Sequence, residues 1–290
     1  MIYFVLFMLG LCFGSFINAL VWRIYKKEEL TDGDHKSLKS KKSDSLNYAT
    51  GKYSILHGRS MCPKCEHPLN AKDLMPVISW LSLSGKCRYC KKTISYQYPL
   101  VELITAGLFV GSYVYMPLGD LMHPETYVSL IAWLIIVVGL VALAVYDAKW
   151  MILPNKILYP LIIFTILSIT LMAVLFGTTL DKLSMLMLAV IVGCGFFGLI
   201  YVVSKGKWIG FGDVKLAILL GLLVATPLNM FITIFLSSVL GMIWIMPLML
   251  VKKLKPTSHI PFGPFLIAAC IIVVIFGPNI VDLYHKIFLI

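Results

Sequence analysis

Four cysteines fall as two matched pairs, Cys62-Pro-Lys-Cys65 and Cys87-Arg-Tyr-Cys90, with 21 residues between them. Each Cys-x-x-Cys turn aims two thiolates at one point, so two such turns suit one tetrahedral zinc ion. The segment around them is too short for a core of its own, and a bound metal supplies the missing folding energy. Lys64, Lys86, Arg88 and Lys91 offset the negative charge of a four-thiolate site. The alternatives are disulfides, which a reducing cytosol disfavours, and a redox Cys-x-x-Cys, which rarely comes as two matched pairs. Cys12, Cys194 and Cys270 stand alone in apolar stretches and read as small buried hydrophobes.

Carboxylates form the second constellation. Outside residues 23–97 the acids are Glu102, Asp120, Glu125, Asp147, Asp181, Asp213 and Asp282. Asp147 ends one long apolar stretch and Asp213 opens another, each beside a basic connection. An acid at that depth is costly unless it is paired or faces a polar cavity. Two at one level can share a proton and titrate as a unit, one acting as general base on water and the other as general acid. Gly210 and Gly212 would let an extended substrate backbone approach, and a helix beginning there would favour negative charge. The bland alternative is two separate interfacial acids, snorkelling or paired with Lys149 and Lys215. Other catalytic sets are weak: no H-E-x-x-H and no G-x-S-x-G occurs. Gly193-Cys194-Gly195-Phe196-Phe197-Gly198 matches G-x-G-x-x-G, but inside an apolar span it reads as close helix packing.

The elements that must hold these residues are written in the composition. Of 290 residues 59% are hydrophobic and 13% charged, about half the charged share of a soluble domain. Apolar spans of bilayer length are expected near 1–22, 98–116, 127–146, 157–176, 184–203, 214–226, 229–251 and 264–278, the sixth and eighth being short. The first lacks a basic n-region and a small-residue cleavage site, so it reads as a retained helix. The net charge is +11, and residues 23–97 hold 15 Lys+Arg against 7 Asp+Glu. Basic and non-basic connections alternate from there on, which by the positive-inside rule puts 23–97 in the cytosol and the N-terminus outside. Residues 26–58 read as a flexible basic tether, with Lys39, Lys41 and Lys42 placed either to meet anionic lipid headgroups or simply to be solvated. Topology already explains the basic charge, so no nucleic-acid partner is expected. The expected fold is an all-α polytopic membrane protein of about eight transmembrane helices with a small zinc-ribbon-like cytosolic domain. On residues alone, an enzyme, a proton-pathway transporter and an assembly subunit all remain open.

Further motifs narrow the choice. They are Gly14-Ser15-Phe16-Ile17-Asn18 with Arg23, Pro76-Val77-Ile78-Ser79-Trp80-Leu81, and Tyr98-Pro99-Leu100-Val101-Glu102-Leu103. Leu153-Pro154-Asn155 follows Asp147, and Gly210-Phe211-Gly212-Asp213-Val214-Lys215-Leu216 and Pro261-Phe262-Gly263-Pro264-Phe265 come later. In this order, with the cysteine pairs, they resemble the type IV prepilin peptidases, bifunctional leader peptidase/N-methyltransferases of the bacterial inner membrane. The resemblance implies a GxGD-type aspartic protease with Asp147 and Asp213 as catalytic pair, supported by Gly210, Gly212 and Lys215. It implies cleavage of the basic leader of prepilins or pseudopilins after glycine, in pilus or secretion systems. It implies zinc on Cys62, Cys65, Cys87 and Cys90, and S-adenosylmethionine as donor for methylating the new N-terminus. Glu102 then has a structural or methyl-transfer role. The implied domains are a first transmembrane helix at 1–22, a cytosolic methyltransferase-associated loop at 23–97 and a peptidase domain at 98–290. Two departures stand out: Asn155 where some relatives carry Asp, and an unusually Lys- and Ser-rich tether.

Overall fold

In lipid, backbone groups must bond within their own segment, so long apolar runs become helices. The structure, a computed structural model, describes residues 1–34, 53–54, 58–115, 124–177, 179–250 and 260–288. Its long helices are α1 (Ile2–Asp34), α3 (Gln97–Tyr115), α4 (Pro124–Trp150), α5 (Asn155–Phe176), α6 (Leu180–Ser204), α7 (Phe211–Val224), α8 (Pro227–Leu250) and α9 (Gly263–Phe288), with a one-turn α2 at Ile78–Ser82. They match the eight expected spans one for one, and no strand occurs among the described residues. Six of them, α1, α3, α4, α5, α6 and α8, are long and apolar enough to cross a membrane. The protein is a multi-pass, all-α membrane protein. α7 has 14 residues, about 21 Å at 1.5 Å each, which is short of a bilayer core of about 30 Å. The apolar stretch of α9 is Gly263–Gly277.

One difference from the sequence reading lies in α1, which continues past Arg23 to Asp34, into residues expected to be tether. Lys26 and Glu29 pair at 2.6 Å, three apart on that extension, as neighbours on one helix face do. Lys39, Lys41 and Lys42, together with Asp120, lie outside the described residues.

The chain forms two compact units, Met1–Val110 and Gly111–Ile290, divided within α3. In the first, Gly10 and Gly14 let α1 lie directly on α3. A Cβ at Gly10 would stand 2.5 Å from the Ala106 Cα, and one at Gly14 the same distance from the Glu102 Cα. Small residues four apart are how helices approach without a water-driven force between them. In the second unit the short α7 is the hub, touching α5, α6, α8 and α9. Leu216, Ala217, Leu219 and Leu220 of α7 are fully buried. Gly193 of α6 faces Met230 and the Ala217 carbonyl, whereas Gly195 and Gly198 meet nothing within 4 Å; the packing role of that glycine run rests on Gly193. Large apolar side chains such as Phe231, Phe235 and Trp244 on α8 stay exposed, the surface that lipid would cover.

Candidate functional site

Asp147 sits in the last turn of α4, and Asp213 three residues after Gly210, the N-cap of α7. The α7 start is built tightly. The Asp213 N–H donates to the Gly210 carbonyl at 3.1 Å, and a Cβ at Gly210 would lie 3.8 Å from the Asp213 carboxylate. Asp147 is 5% exposed, and its Oδ2 accepts the backbone N–H of Gly263, the first residue of α9, at 3.1 Å. Both acids therefore stand at helix N-termini, where unpaired N–H groups and the macrodipole favour an anion. They are close enough for the charge of Asp147 to act on Asp213. Among the described residues neither forms an ion pair.

The lysines expected as alternative partners are engaged elsewhere. Lys215 Nζ donates to Asn155 Oδ1 at 2.6 Å, tying the first turn of α7 to the first residue of α5. It also lies 5.5 Å from the Phe211 ring centre. Lys149 lies over the Trp150 ring at 4.7 Å. Gly212 faces Leu153, which a Cβ would meet at 3.3 Å. Its missing side chain thus seats α7 against the loop after α4.

The sequence reading passed over Gly263. A Cβ there would lie 2.6 Å from Asp147 Oδ2, so only glycine lets the carboxylate reach the start of α9. The signal was present in the Pro261–Phe265 motif, but nothing in the sequence linked it to an acid more than a hundred residues away.

The four cysteines also converge. The sulfurs of Cys62, Cys65, Cys87 and Cys90 all lie within 4.8 Å of one another, with Cys62 and Cys90 at 4.0 Å. Four thiolates about 2.3 Å from one zinc would be about 3.8 Å apart, so the donor set fits the ion. The two knuckles repeat each other. The N–H of each leading cysteine, Cys62 and Cys87, bonds a carbonyl across its turn, that of His67 and Lys92 respectively. The residue after each second cysteine, Glu66 and Lys91, takes positive φ, 56° and 57°. Burial pushes the Cys62 thiol up to about 12. The Lys92 N–H, with help from neighbouring thiols and against some burial, brings Cys90 down to about 7.

Arg88, expected to offset the charge of the thiolates, pairs with Asp73 at 2.7 Å. Tyr89 donates to the same carboxylate, Asn70 donates to the Tyr89 hydroxyl, and His67 stacks on the Tyr89 ring. Burial opposes ionisation of Asp73, yet bonds from Arg88, the Asn70 N–H and Tyr89 together hold its carboxyl below the usual range.

Glu102 is buried in α3, and its Oε2 accepts the Val77 N–H at 2.7 Å. Val77 carries φ of 59°, a costly conformation for a β-branched residue, and the buried carboxylate holds it there.

Residues 8–116 match the model of the bacterial peptidase A24 N-terminal domain, and residues 134–246 that of the type IV leader peptidase family. The chain is 30% identical to the prepilin leader peptidase/N-methyltransferase of Pseudomonas aeruginosa, over 96% of this chain and 91% of that protein. The chain belongs to the type IV leader peptidase family. The Bacillus subtilis prepilin leader peptidase/N-methyltransferase is also 30% identical, over 80% of this chain and 88% of its own length. The Escherichia coli type 4 prepilin-like proteins leader peptide-processing enzyme is 32% identical, over 89% and 87%. No solved structure matches. The leader peptidase model spans both Asp147 and Asp213, and the N-terminal model spans all four zinc-ribbon cysteines.

Proposed function

We propose that this chain removes the basic leader of type IV prepilins or pseudopilins after glycine at the cytoplasmic membrane face, and then methylates the new N-terminal amine. The observation that supports the peptidase reading is that Asp147 and Asp213, from distant stretches of a leader peptidase chain, each stand at the N-terminus of one of two touching helices, α9 and α7. In the reaction the ionised aspartate takes a proton from water, whose oxygen attacks the scissile carbonyl carbon. The protonated partner gives its proton to the carbonyl oxygen. Collapse of the tetrahedral species breaks the C–N bond, and the departing amine takes a proton from the dyad. The Gly263 N–H fixes the Asp147 carboxylate throughout, and the Lys215–Asn155 bond holds the α7 start in place.

A prepilin is an apolar helix whose positive leader stays in the cytosol. Its cut site therefore lies at the inner membrane surface, the level at which the basic connections put both acids. Lipid on the outer helix faces and the substrate helix among them would set the cleavage point by depth.

Cys62, Cys65, Cys87 and Cys90 would hold a zinc ion, which would tie the two knuckles together. S-adenosylmethionine, if bound, would supply the methyl group for the new terminal amine.

The test is to incubate purified protein with a prepilin, with and without the methyl donor. Asp147→Asn and Asp213→Asn should each lower cleavage by about 10²–10⁴-fold, the usual worth of a positioned acid or base. Processing near the wild-type rate by both variants would reject the dyad.

A further inference from the structure

Residues 23–97 are rich in charge, yet residues 74–85 within them carry none, and they include the Pro76–Leu81 motif. This run forms the one-turn α2, whose side chains divide between two faces. Ser79, Trp80 and Leu83 turn inward and line a cavity of about 370 Å³ in the first unit. Met75, Ile78 and Leu81, three apart and so neighbours along one side of the turn, are 48, 59 and 62% exposed. Leu100, Leu103 and Ile104 on the first turns of α3 are exposed as well. Apolar side chains gathered on an open surface mark a place where something covers them.

Depth decides what covers this face. α3 has 19 residues, about 29 Å at 1.5 Å each, against a hydrocarbon core of about 30 Å. Its second turn therefore lies within the membrane rather than above it. Glu102 stands on that turn and accepts the Val77 N–H at 2.7 Å. Side chains on a helix lean toward its N-terminus, so Val77 is held near the boundary between headgroups and acyl chains. α2 begins at the next residue, and the 59° φ of Val77 sets its direction at that level. Aromatic residues mark the same boundary. Tyr96 is 78% exposed, with its ring 6.0 Å from that of Trp80, and the Trp80 Nε1 donates to the Ile94 carbonyl at 3.3 Å. Such rings, apolar at one end and polar at the other, gather where bilayer meets water. Lys86, Lys91 and Lys92 follow, all exposed, as on the polar side of an interfacial helix. We propose that the outer face of α2 is inserted into the bilayer leaflet that α3 enters, with Met75, Ile78 and Leu81 against the glycerol end of phospholipid acyl chains. The first unit then meets the membrane through α2 as well as through α1 and α3. Lipid thereby holds the element that carries Ser79 and Trp80 to the cavity wall. Neither the dyad nor any turnover enters this inference, which goes beyond the proposed function.

The test places the full chain in phosphatidylcholine nanodiscs that include a phosphatidylcholine with a diazirine near the carboxyl end of one acyl chain. After illumination, lipid adducts are mapped by mass spectrometry. Wild type should carry adducts on residues 74–82 as well as on Leu100, Leu103 or Ile104 of α3. Labelling of α3 with none on residues 74–82 would overturn the proposal. The double variant Ile78→Asp with Leu81→Asp should lower labelling of residues 74–82 by roughly tenfold or more, since carboxylates against acyl chains are costly. Ile78→Leu with Leu81→Ile should keep it. Equal labelling in the aspartate variant would show tagging without insertion and would also overturn the proposal. Benzoylphenylalanine incorporated in place of Ile78 separates lipid from protein. A lipid adduct is the expected product; a crosslink to residues 111–290 or to added prepilin in its stead would make this face a protein interface and reject the lipid. The wild-type map decides the question even where a variant misfolds.

Discussion

A carboxylate at the end of one helix can bond the first N–H of another only where no side chain stands between them, and Gly263 meets that condition for Asp147. Substitution by alanine would push a methyl group against Oδ2 and turn the carboxylate out of its bond to the Gly263 N–H. Gly263→Ala should therefore cut leader cleavage by about 10²-fold or more, the cost of misplacing a reacting group by about 1 Å. Thermal unfolding should change little, because the added methyl can be relieved by rotating one side chain. Cleavage kinetics beside a melting curve separate the two effects; normal cleavage would mean the Gly263 contact is dispensable. The acids themselves were legible as residues because a charge at the edge of an apolar span is conspicuous. The backbone partner of Asp147 was not, since a backbone N–H leaves no mark in a sequence and Gly263 is one glycine among 21.

At the level of elements, the zinc ribbon shows which part of a design spacing reveals. The Cys-x-x-Cys repeat announces two turns and one ion, and the sulfurs do converge. The clamp between the knuckles, Asp73 with Arg88, Tyr89 and the Asn70 N–H, has no period and stayed unread. Arg88 was read only as one of four cations that offset the thiolate charge. The carboxyl of Asp73 is held below its ordinary value. Its stabilising contribution is thus fully present above the unfolded value near 3.9 and is lost as pH falls through the lower folded value. Asp73→Asn should lower the thermal midpoint at neutral pH, and the gap from wild type should close below about pH 4. A gap that stays constant with pH would assign the loss to packing rather than charge.

A zinc ion on these thiols would respond oppositely to protons. With Cys62 pushed up to about 12 and Cys90 near 7 before metal binds, zinc must displace protons from the thiols. Apparent zinc affinity should rise as pH rises across the neutral range. Cys62→Ser should reduce bound zinc in the purified protein, read by atomic emission; full metal content in that variant would remove Cys62 from the ligand set. The helix ladder was the easiest part of the fold to read, because apolar runs of bilayer length have few other fates. Two ends were misjudged, the reach of α1 to Asp34 and that of α9 to Phe288; on α1, charged residues paired along one face prolong a helix that composition alone ends sooner.

The whole molecule joins two family modules, one carrying the four clustered cysteines and the cavity, the other Asp147 and Asp213. If each module runs one reaction, the two activities must be ordered, because the amine of the mature N-terminus does not exist until the leader is gone. The asymmetry gives a prediction that separates a coupled pair of activities from a single shared site. Asp213→Asn should leave prepilin both uncut and unmethylated, although its N-terminal unit is untouched. Cys62→Ser should give correctly cut pilin whose terminal amine lacks the methyl group. Mixing the two purified variants should then restore the methylated product if the cut chain can leave one molecule and enter another. Mass spectrometry of the pilin N-terminus reads all three outcomes. Loss of cleavage in Cys62→Ser at normal abundance would show that the acids depend on the metal unit for their geometry. Failure of the mixture to methylate, with each variant behaving as expected alone, would show that the substrate passes from cut to methyl transfer without release.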